Sequence, residues 1–179
     1  IGLRKKIYTF FLILCTITFL FCAWKLGQYL FAYHQADQEY QEIRKVRNAG
    51  NDRKEIDFDG LRKMNSDTIG WIYMEGTEID YPIVISHDNN EYLSRTFQGT
   101  SNRSGAIFMD KNCDKEFASD NSVIYGHHMR DGSMFADLLK FREQSFINEE
   151  NDVILYTPER TIPLKVIASY AAKGSTKIP

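Results

Sequence analysis

The sequence predicts a mainly β fold, a β-barrel with short helices, preceded by an N-terminal transmembrane helix and an amphipathic helical stalk. Three observations predict it. An apolar run without charge occupies residues 7–24 and is long enough to cross a bilayer as a helix. Residues 34–54 are charged, with apolar residues at three-residue spacing, as in an amphipathic helix. From residue 68 onward, short aromatic and β-branched runs alternate with turns, which is typical of a closed or nearly closed barrel and not of a doubly wound sheet.

The composition narrows the class of protein. The chain has 179 residues, 43% of them hydrophobic, and a formal net charge of −2. It can form one packed domain with an appendage, and it has no large basic field for binding nucleic acid. Cys15 and Cys22 lie in the apolar run and Cys113 stands alone outside it, so we expect neither an intramolecular disulfide there nor a zinc site. No residue pattern requires a cofactor.

The N-terminal segment has the charge pattern of a membrane anchor. Arg4, Lys5 and Lys6 precede the apolar run. Because positive residues stay on the cytoplasmic side, we expect a single-pass cell-membrane protein with a cytoplasmic N-terminus and an extracytoplasmic domain. A cleaved signal peptide begins in the same way. The run is long for a signal peptide and no small-x-small cleavage site follows it, which favours an uncleaved anchor.

Three parts of the chain follow from these patterns. We expect the cytoplasmic tip and transmembrane anchor in residues 1–33, and the helical stalk with N-terminal helices in residues 34–66. The barrel domain is expected in residues 67–179. The helix that follows the anchor is predicted to end at Gly50, since glycine commonly terminates helices.

Short elements are predicted beyond the stalk from periodicity and turn residues. A helix over residues 57–65 is predicted to direct Leu61 and Met64 inward. Further helices are predicted over residues 89–97 and from near Met134. Strands are predicted at residues 69–74, 81–85, 105–109, 122–125, 152–156 and 161–171.

Two adjacent histidines, His127 and His128, follow a predicted strand and Gly126. A histidine at a strand end is held by rigid backbone yet exposed, which suits a general acid or base because imidazole titrates near neutral pH. Taken alone, the pattern is equally compatible with two ordinary turn residues. Since consecutive strand residues face opposite sides, we expect His128 to point away from His127.

Several segments together carry a family resemblance. They are Gly70-Trp71-Ile72, Ile79-Asp80-Tyr81-Pro82-Ile83-Val84, Asp88-Asn89 followed by Tyr92-Leu93, Tyr125-Gly126-His127 and Asp131-Gly132-Ser133-Met134-Phe135. In this order and spacing, with the anchor and the stalk, the chain resembles class B sortases, the membrane-anchored cysteine transpeptidases of Gram-positive bacteria. The resemblance covers essentially the whole chain.

The resemblance implies a sortase-like barrel in which His127 is the catalytic histidine and Asn89 and Leu93 line the groove for the sorting signal. A cysteine thiolate would cleave the bond after the threonine of a C-terminal sorting motif in a secreted protein. An amino group of peptidoglycan, or of its lipid-linked precursor, would then resolve the thioester. His127 would exchange the protons, and a family arginine would hold the oxyanion. The implied partners are sorting-motif proteins, the peptidoglycan acceptor and the lipid bilayer.

The sequence departs from the family pattern in its nucleophile. In class B sortases the cysteine ends a late strand, in a Thr-Leu-x-Thr-Cys-like segment, and the arginine lies on the following strand. The chain stops at Pro179, before either position. Cys113 lies upstream of His127 between carboxylates, which disfavour a thiolate. We therefore expect a C-terminally truncated sortase that is inactive as it stands. The alternative is a non-catalytic, membrane-tethered module that binds a sorting peptide.

The loop after the third barrel strand begins like a calcium-binding loop. Asp110, Asn112 and Asp114 occupy alternate positions. Lys115 stands where the required glycine belongs, and Asn121 stands where a bidentate glutamate belongs. We therefore expect no metal site in this loop.

Overall fold

The computed structural model describes residues 2–48, 56–148 and 152–172. The chain divides into two compact units, Ile1–Gln38 and Glu39–Pro179. The helices are α1 (Gly2–Asn48), α2 (Phe58–Met64) and α3 (Gln144–Asn148), with short 3-10 helices at Glu91–Leu93 and Ala136–Arg142. The strands are β1 (Thr68–Met74), β2 (Asp80–Ile85), β3 (Ile107–Met109), β4 (Ile124–Tyr125), β5 (Val153–Tyr156) and β6 (Thr161–Leu164).

The predicted membrane segment, residues 7–24, and residues 34–48 of the predicted stalk belong to helix α1. Its apolar part is long enough to cross a membrane, and none of the side chains in that window is buried. In the second unit the same helix contributes Tyr40 and Ile43 to the core, as the three-residue spacing of the stalk predicts. The predicted helix end at Gly50 lies outside the described residues.

The strands form one mixed sheet in the order β4-β3-β2-β1-β5-β6. β1 pairs antiparallel with both β2 and β5, and β2 pairs parallel with β3. All of β1 except Tyr73 is buried, because a central strand packed on both faces needs a nearly continuous apolar run. Residues 86–106 connect the parallel strands β2 and β3. Within the described residues, β4 and β6 are the edge strands.

The mixed sheet, the short helices and the long apolar N-terminal helix confirm the predicted fold class. The helix predicted over residues 89–97 is wrong, because only a 3-10 turn at Glu91–Leu93 forms. The Asp88 carboxylate accepts two backbone N–H groups at the start of this segment. At its end, the Asn65 amide donates to the Phe97 carbonyl at 2.6 Å. These contacts replace the repeating bonds of an α-helix.

Two further details differ from the sequence prediction. The strand predicted over residues 161–171 ends at Leu164. Leu61 is fully buried as expected, but Met64 is 38% exposed. Met64 is the last residue of α2, and the chain leaves the helix through Asn65, whose N–H bonds to the Leu61 carbonyl. A helix this short buries only one of the two predicted positions.

Candidate active site

His127 lies just past the end of β4, and Gly126 makes that position possible. A Cβ atom on Gly126 would overlap the Ile107 side chain and lie 2.6 Å from Phe135 Cδ2. Only glycine therefore lets the chain leave the sheet this close to β3. The Phe135 N–H donates to the His127 carbonyl at 2.9 Å, so the backbone is fixed beyond the strand as well. The His127 side chain remains partly exposed.

The imidazole of His127 is oriented by the backbone of the 3-10 turn. Its Nε2 lies 2.7 Å from the Leu93 carbonyl oxygen. Because a carbonyl only accepts hydrogen bonds, Nε2 carries a proton and donates it. The other ring nitrogen, Nδ1, is then the one that can take up and release a proton.

Gly105 forms a wall beside the same ring. Its φ is +60°, and a Cβ atom there would lie 2.5 Å from the Tyr92 carbonyl and 3.0 Å from His127 Cδ2. The Ala106 N–H donates to the Tyr92 carbonyl at 2.9 Å. The end of the crossover, the connection of residues 86–106 between β2 and β3, is thereby tied to its own 3-10 turn beside the ring. Glycine is needed at residue 105 for both conformation and space.

The loop after His127 folds back in a fixed shape. His128 is exposed and forms an isolated bridge with Met134. Met134 has a φ of 58°, and its N–H donates to the Tyr81 hydroxyl at 3.0 Å. The Asp131 carboxylate accepts from the Ser133 N–H and hydroxyl. The loop therefore leaves His128 in solvent, whereas the His127 side chain is only partly exposed.

The structure brings one of the two predicted groove residues to His127. The Leu93 side chain is 42% exposed, and its carbonyl contacts the imidazole. The Asn89 amide lies at the end of β3, where Nδ2 donates to Asp110 Oδ2 at 2.7 Å and Oδ1 accepts from the Lys111 N–H at 2.9 Å. Asn89 therefore lies in a second cluster, centred on Asp110.

Asp110 links this second cluster to β4, the strand that precedes His127. Its Oδ2 also accepts from the Tyr125 hydroxyl at 3.0 Å. The Asn112 N–H, followed by bonds from the Tyr125 and Asn89 side chains, holds the pKa of Asp110 below its ordinary value. The Asp110 carboxylate in turn raises the pKa of Tyr125. Asp110 is the first residue of the calcium-like pattern in the sequence, and in the structure its carboxylate accepts the hydrogen bonds that hold this loop.

Cys113 lies at the opposite end of the β3–β4 hairpin from His127. The Val123 N–H donates to its Sγ at 3.4 Å, ahead of β4. His127 is four residues further on, beyond the other end of β4, and four residues of extended chain span roughly 13 Å at about 3.3 Å per residue. Cys113 lines a cavity of about 1050 Å³ together with Thr68 and Thr157, and His127 is not among the residues around it. No nucleophile–base pair forms between Cys113 and His127.

Two contacts of His127 were missed by sequence reasoning. The Leu93 carbonyl and Gly105 both lie beside His127, although they are up to 34 residues away from it in the chain. Neither a main-chain carbonyl nor a glycine has a sequence pattern that predicts such a contact.

Among the described residues, no group of three or more His, Cys, Asp or Glu side chains is arranged to hold a metal ion.

The fold and the sequence match known sortases. The sequence is 38% identical to sortase B of Listeria monocytogenes over 136 residues, which are 72% of this chain and 55% of that protein. The structure is similar to that of sortase B from Bacillus anthracis, with a TM-score of 0.70, 28% identity and coverage of 82% of this chain and 75% of that one. It is also similar to a Streptococcus pyogenes class B sortase involved in pilus biogenesis, with a TM-score of 0.61, 33% identity and coverage of 66% and 68%.

The chain spans little more than half the length of the Listeria protein. No family model matches the sequence. The identity with the Streptococcus sortase is above 30% over about two thirds of that protein, and the Listeria and Bacillus matches agree with it. The chain therefore belongs to the class B sortases.

Proposed function

We propose that the protein takes part in sortase-type cysteine transpeptidation, with His127 as the general acid and base. The observation that carries this proposal is the contact between His127 Nε2 and the Leu93 carbonyl at 2.7 Å. An acceptor on one imidazole nitrogen sets the tautomer and ring orientation, which is the task of the carboxylate in a serine protease triad. Nδ1 is thereby left to exchange protons with the reacting groups.

The proposed substrates are secreted proteins with a C-terminal sorting motif and an amine of peptidoglycan or its lipid-linked precursor. A cysteine thiolate attacks the carbonyl carbon of the motif's threonine, and the C–N bond breaks. Protonated Nδ1 of His127 gives its proton to the leaving amine, which leaves a thioester. The incoming amine then loses a proton to Nδ1 as it attacks the thioester, and the thiolate is released.

The nucleophile in this proposal is a cysteine other than Cys113. Cys113 and His127 lie at opposite ends of β4, with the Cys113 sulfur bonded to the Val123 N–H and the His127 ring bonded to the Leu93 carbonyl. A nucleophile and its base must come within hydrogen-bond reach. The polypeptide of residues 1–179 is therefore expected to be inactive by itself.

Two residues near the crossover are proposed to contact the sorting motif. Leu93, whose carbonyl contacts His127, has a partly exposed apolar side chain, which suits an apolar position of the peptide. Asn89 uses one Nδ2 hydrogen for Asp110. An amide nitrogen has two hydrogens, so Asn89 retains a second donor for a peptide carbonyl.

The membrane arrangement is also part of the proposal. The apolar part of α1 spans the cell membrane once, with Arg4, Lys5 and Lys6 on the cytoplasmic side. We propose the same three parts as the sequence predicts: the cytoplasmic tip and anchor in residues 1–33, the helical stalk with N-terminal helices in residues 34–66, and the barrel domain in residues 67–179. An antibody against an N-terminal epitope tag should bind only after protoplasts are permeabilised. Binding to intact protoplasts would contradict this topology.

The direct test is capture of the acyl-enzyme. The native protein is purified from its host membrane and incubated with a library of sorting-motif peptides, and its intact mass is recorded. We expect an added acyl fragment that hydroxylamine removes, with the same adduct on a Cys113→Ser variant. An adduct that Cys113→Ser abolishes would contradict the assignment of the nucleophile. Peptide binding with no adduct at all would favour the non-catalytic binding module.

A further inference from the structure

The part of α1 that follows the predicted anchor packs against the residues that surround His127. Within the second unit, Tyr40 is 5% exposed and Ile43 is fully buried. Such burial is far more than a spacer between a membrane and a domain requires. The contacts of this helical segment lead to His127 by two routes.

The first route runs from Tyr40 through Gly105. The Tyr40 hydroxyl donates to the Gly105 carbonyl at 3.0 Å, and Gly105 lies so close to the His127 ring that an added Cβ would be 3.0 Å from Cδ2. Burial holds the pKa of Tyr40 far above its ordinary range, so the hydroxyl keeps its proton and remains a donor. The wall beside the imidazole is thus fixed by a side chain of α1.

Glu39 strengthens this first route. One of its carboxylate oxygens accepts from the Thr96 hydroxyl at 2.8 Å and the other from the Gln98 N–H at 2.8 Å. Both partners lie on the crossover between Leu93, which orients the imidazole, and Gly105. A carboxylate with two donors is held more firmly than a neutral pair. Consecutive residues of α1 therefore anchor the crossover at two points.

The second route runs through Tyr81 to the loop after His127. The rings of Tyr40 and Tyr81 meet edge to face, 5.1 Å apart at 89°, a favourable aromatic geometry. The Arg44 guanidinium lies 5.1 Å from the centre of the Tyr81 ring. The Tyr81 hydroxyl accepts from the Met134 N–H, which closes the loop that begins at His127.

We propose that Tyr40 is a positioning residue for His127, through which the helix after the predicted anchor sets the orientation of the imidazole. The functional meaning of this step rests on the proposed acid–base role of His127. Tyr40 does not touch the reacting atoms. It holds the Gly105 wall, and its ring supports Tyr81, so the ring of His127 is confined between the Leu93 carbonyl and Gly105. The domain is then fully organised only while the helix is docked.

The test uses the full ¹⁵N-labelled chain in detergent micelles. Long-range ¹H–¹⁵N spectra report which nitrogen of His127 carries the proton. In Tyr40→Phe, which removes only the hydroxyl, we expect the two ring nitrogen resonances of His127 to shift toward each other, as the Nε2–H tautomer loses its preference. Tyr170→Phe removes a hydroxyl from a residue that is 67% exposed and should leave the ring resonances unchanged.

Unchanged His127 resonances in Tyr40→Phe, even with a lower melting temperature, would overturn the proposal, because the hydroxyl would then serve stability alone. An equal shift in Tyr170→Phe would overturn it as well. If the Tyr40→Phe chain does not fold, Glu39→Gln removes the neighbouring anchor of the same helix on the crossover, and unchanged His127 resonances in that variant would overturn the proposed control of the ring by the helix. The spectrum reports the orientation of His127 whether or not acyl transfer occurs. A failure of this proposal is therefore separable from a failure of the proposed function, which the acyl-enzyme test decides.

Discussion

His127 Nε2 donates a hydrogen bond of 2.7 Å to the carbonyl of Leu93, thirty-four residues earlier in the chain. In the neutral state we expect His127 to be the Nε2–H tautomer, because a carbonyl cannot donate. The ring ¹⁵N shifts of the labelled chain, recorded above the titration range of histidine, measure this directly. His128 is exposed and serves as the reference within the same sample. A predominant Nδ1–H tautomer at His127 would show that the Leu93 contact does not form.

Gly105→Ala should destabilise the domain and disturb the His127 ring. The new Cβ would lie 2.5 Å from the Tyr92 carbonyl and 3.0 Å from His127 Cδ2. Gly99→Ala is the matched control, because Gly99 also has a positive φ, 81°, but nothing within 4 Å of its Cβ position. A left-handed alanine costs about 1–2 kcal/mol by itself, so urea unfolding should show that loss for Gly99→Ala and a larger one for Gly105→Ala. Equal losses would mean that close packing at the ring contributes nothing.

The Asp110 cluster should make the stability of the domain depend on acid pH. Hydrogen bonds, led by the Asn112 N–H, lower the pKa of Asp110. A carboxyl group with a lowered folded-state pKa stabilises the fold above its unfolded pKa, about 3.9. This contribution is lost as the pH falls through the folded-state pKa. Asp110→Asn should therefore melt below the wild type at pH 7, with the difference shrinking at pH 3.

Asp120→Asn makes the same charge change on an exposed residue of the same loop. Comparing the two variants separates the hydrogen-bonded cluster from the effect of net charge. A melting difference for Asp110→Asn that is the same at pH 7 and pH 3 would contradict the assigned cause.

The short helix α2 allows a paired test of the core. Leu61 is fully buried and Met64 is 38% exposed. Leu61→Ala should lower the free energy of unfolding by about 2–5 kcal/mol, the usual cost of a cavity left by a large apolar side chain. Met64→Ala should cost clearly less, since it leaves little cavity. Denaturant unfolding of the two variants side by side measures the difference, and similar losses would place Met64 in the core after all.

Much of the fold could be predicted from the sequence because the central strands carry strong local signals. β1 and β2 are buried and apolar along nearly their whole length, so composition alone finds them. The segment of residues 89–97 was wrongly predicted as a helix. Its backbone groups form hydrogen bonds with the side chains of Asp88 and Asn65, and these partners cannot be inferred from periodicity.

The candidate site was predicted only in part. His127 follows a strand and a glycine, a pattern visible in the sequence, and its catalytic role remains a prediction. The Leu93 carbonyl reaches the imidazole from 34 residues away along the chain, and Tyr40 reaches Gly105, beside the imidazole, from 65 residues away. Backbone carbonyls and glycines carry no side-chain signature of such roles, so only the fold reveals them.

The most direct measurement compares His127→Ala with His128→Ala in the native host, where the fraction of a sorting-motif protein covalently attached to the cell wall is determined. The two variants remove the same side chain from adjacent residues, and only His127 is bonded to the Leu93 carbonyl. His127→Ala should reduce attachment at least about 100-fold, the lower range for losing a general acid–base group, while His128→Ala should remain near the wild type. Normal attachment in His127→Ala, or equal losses in both variants, would contradict the acid–base role of His127.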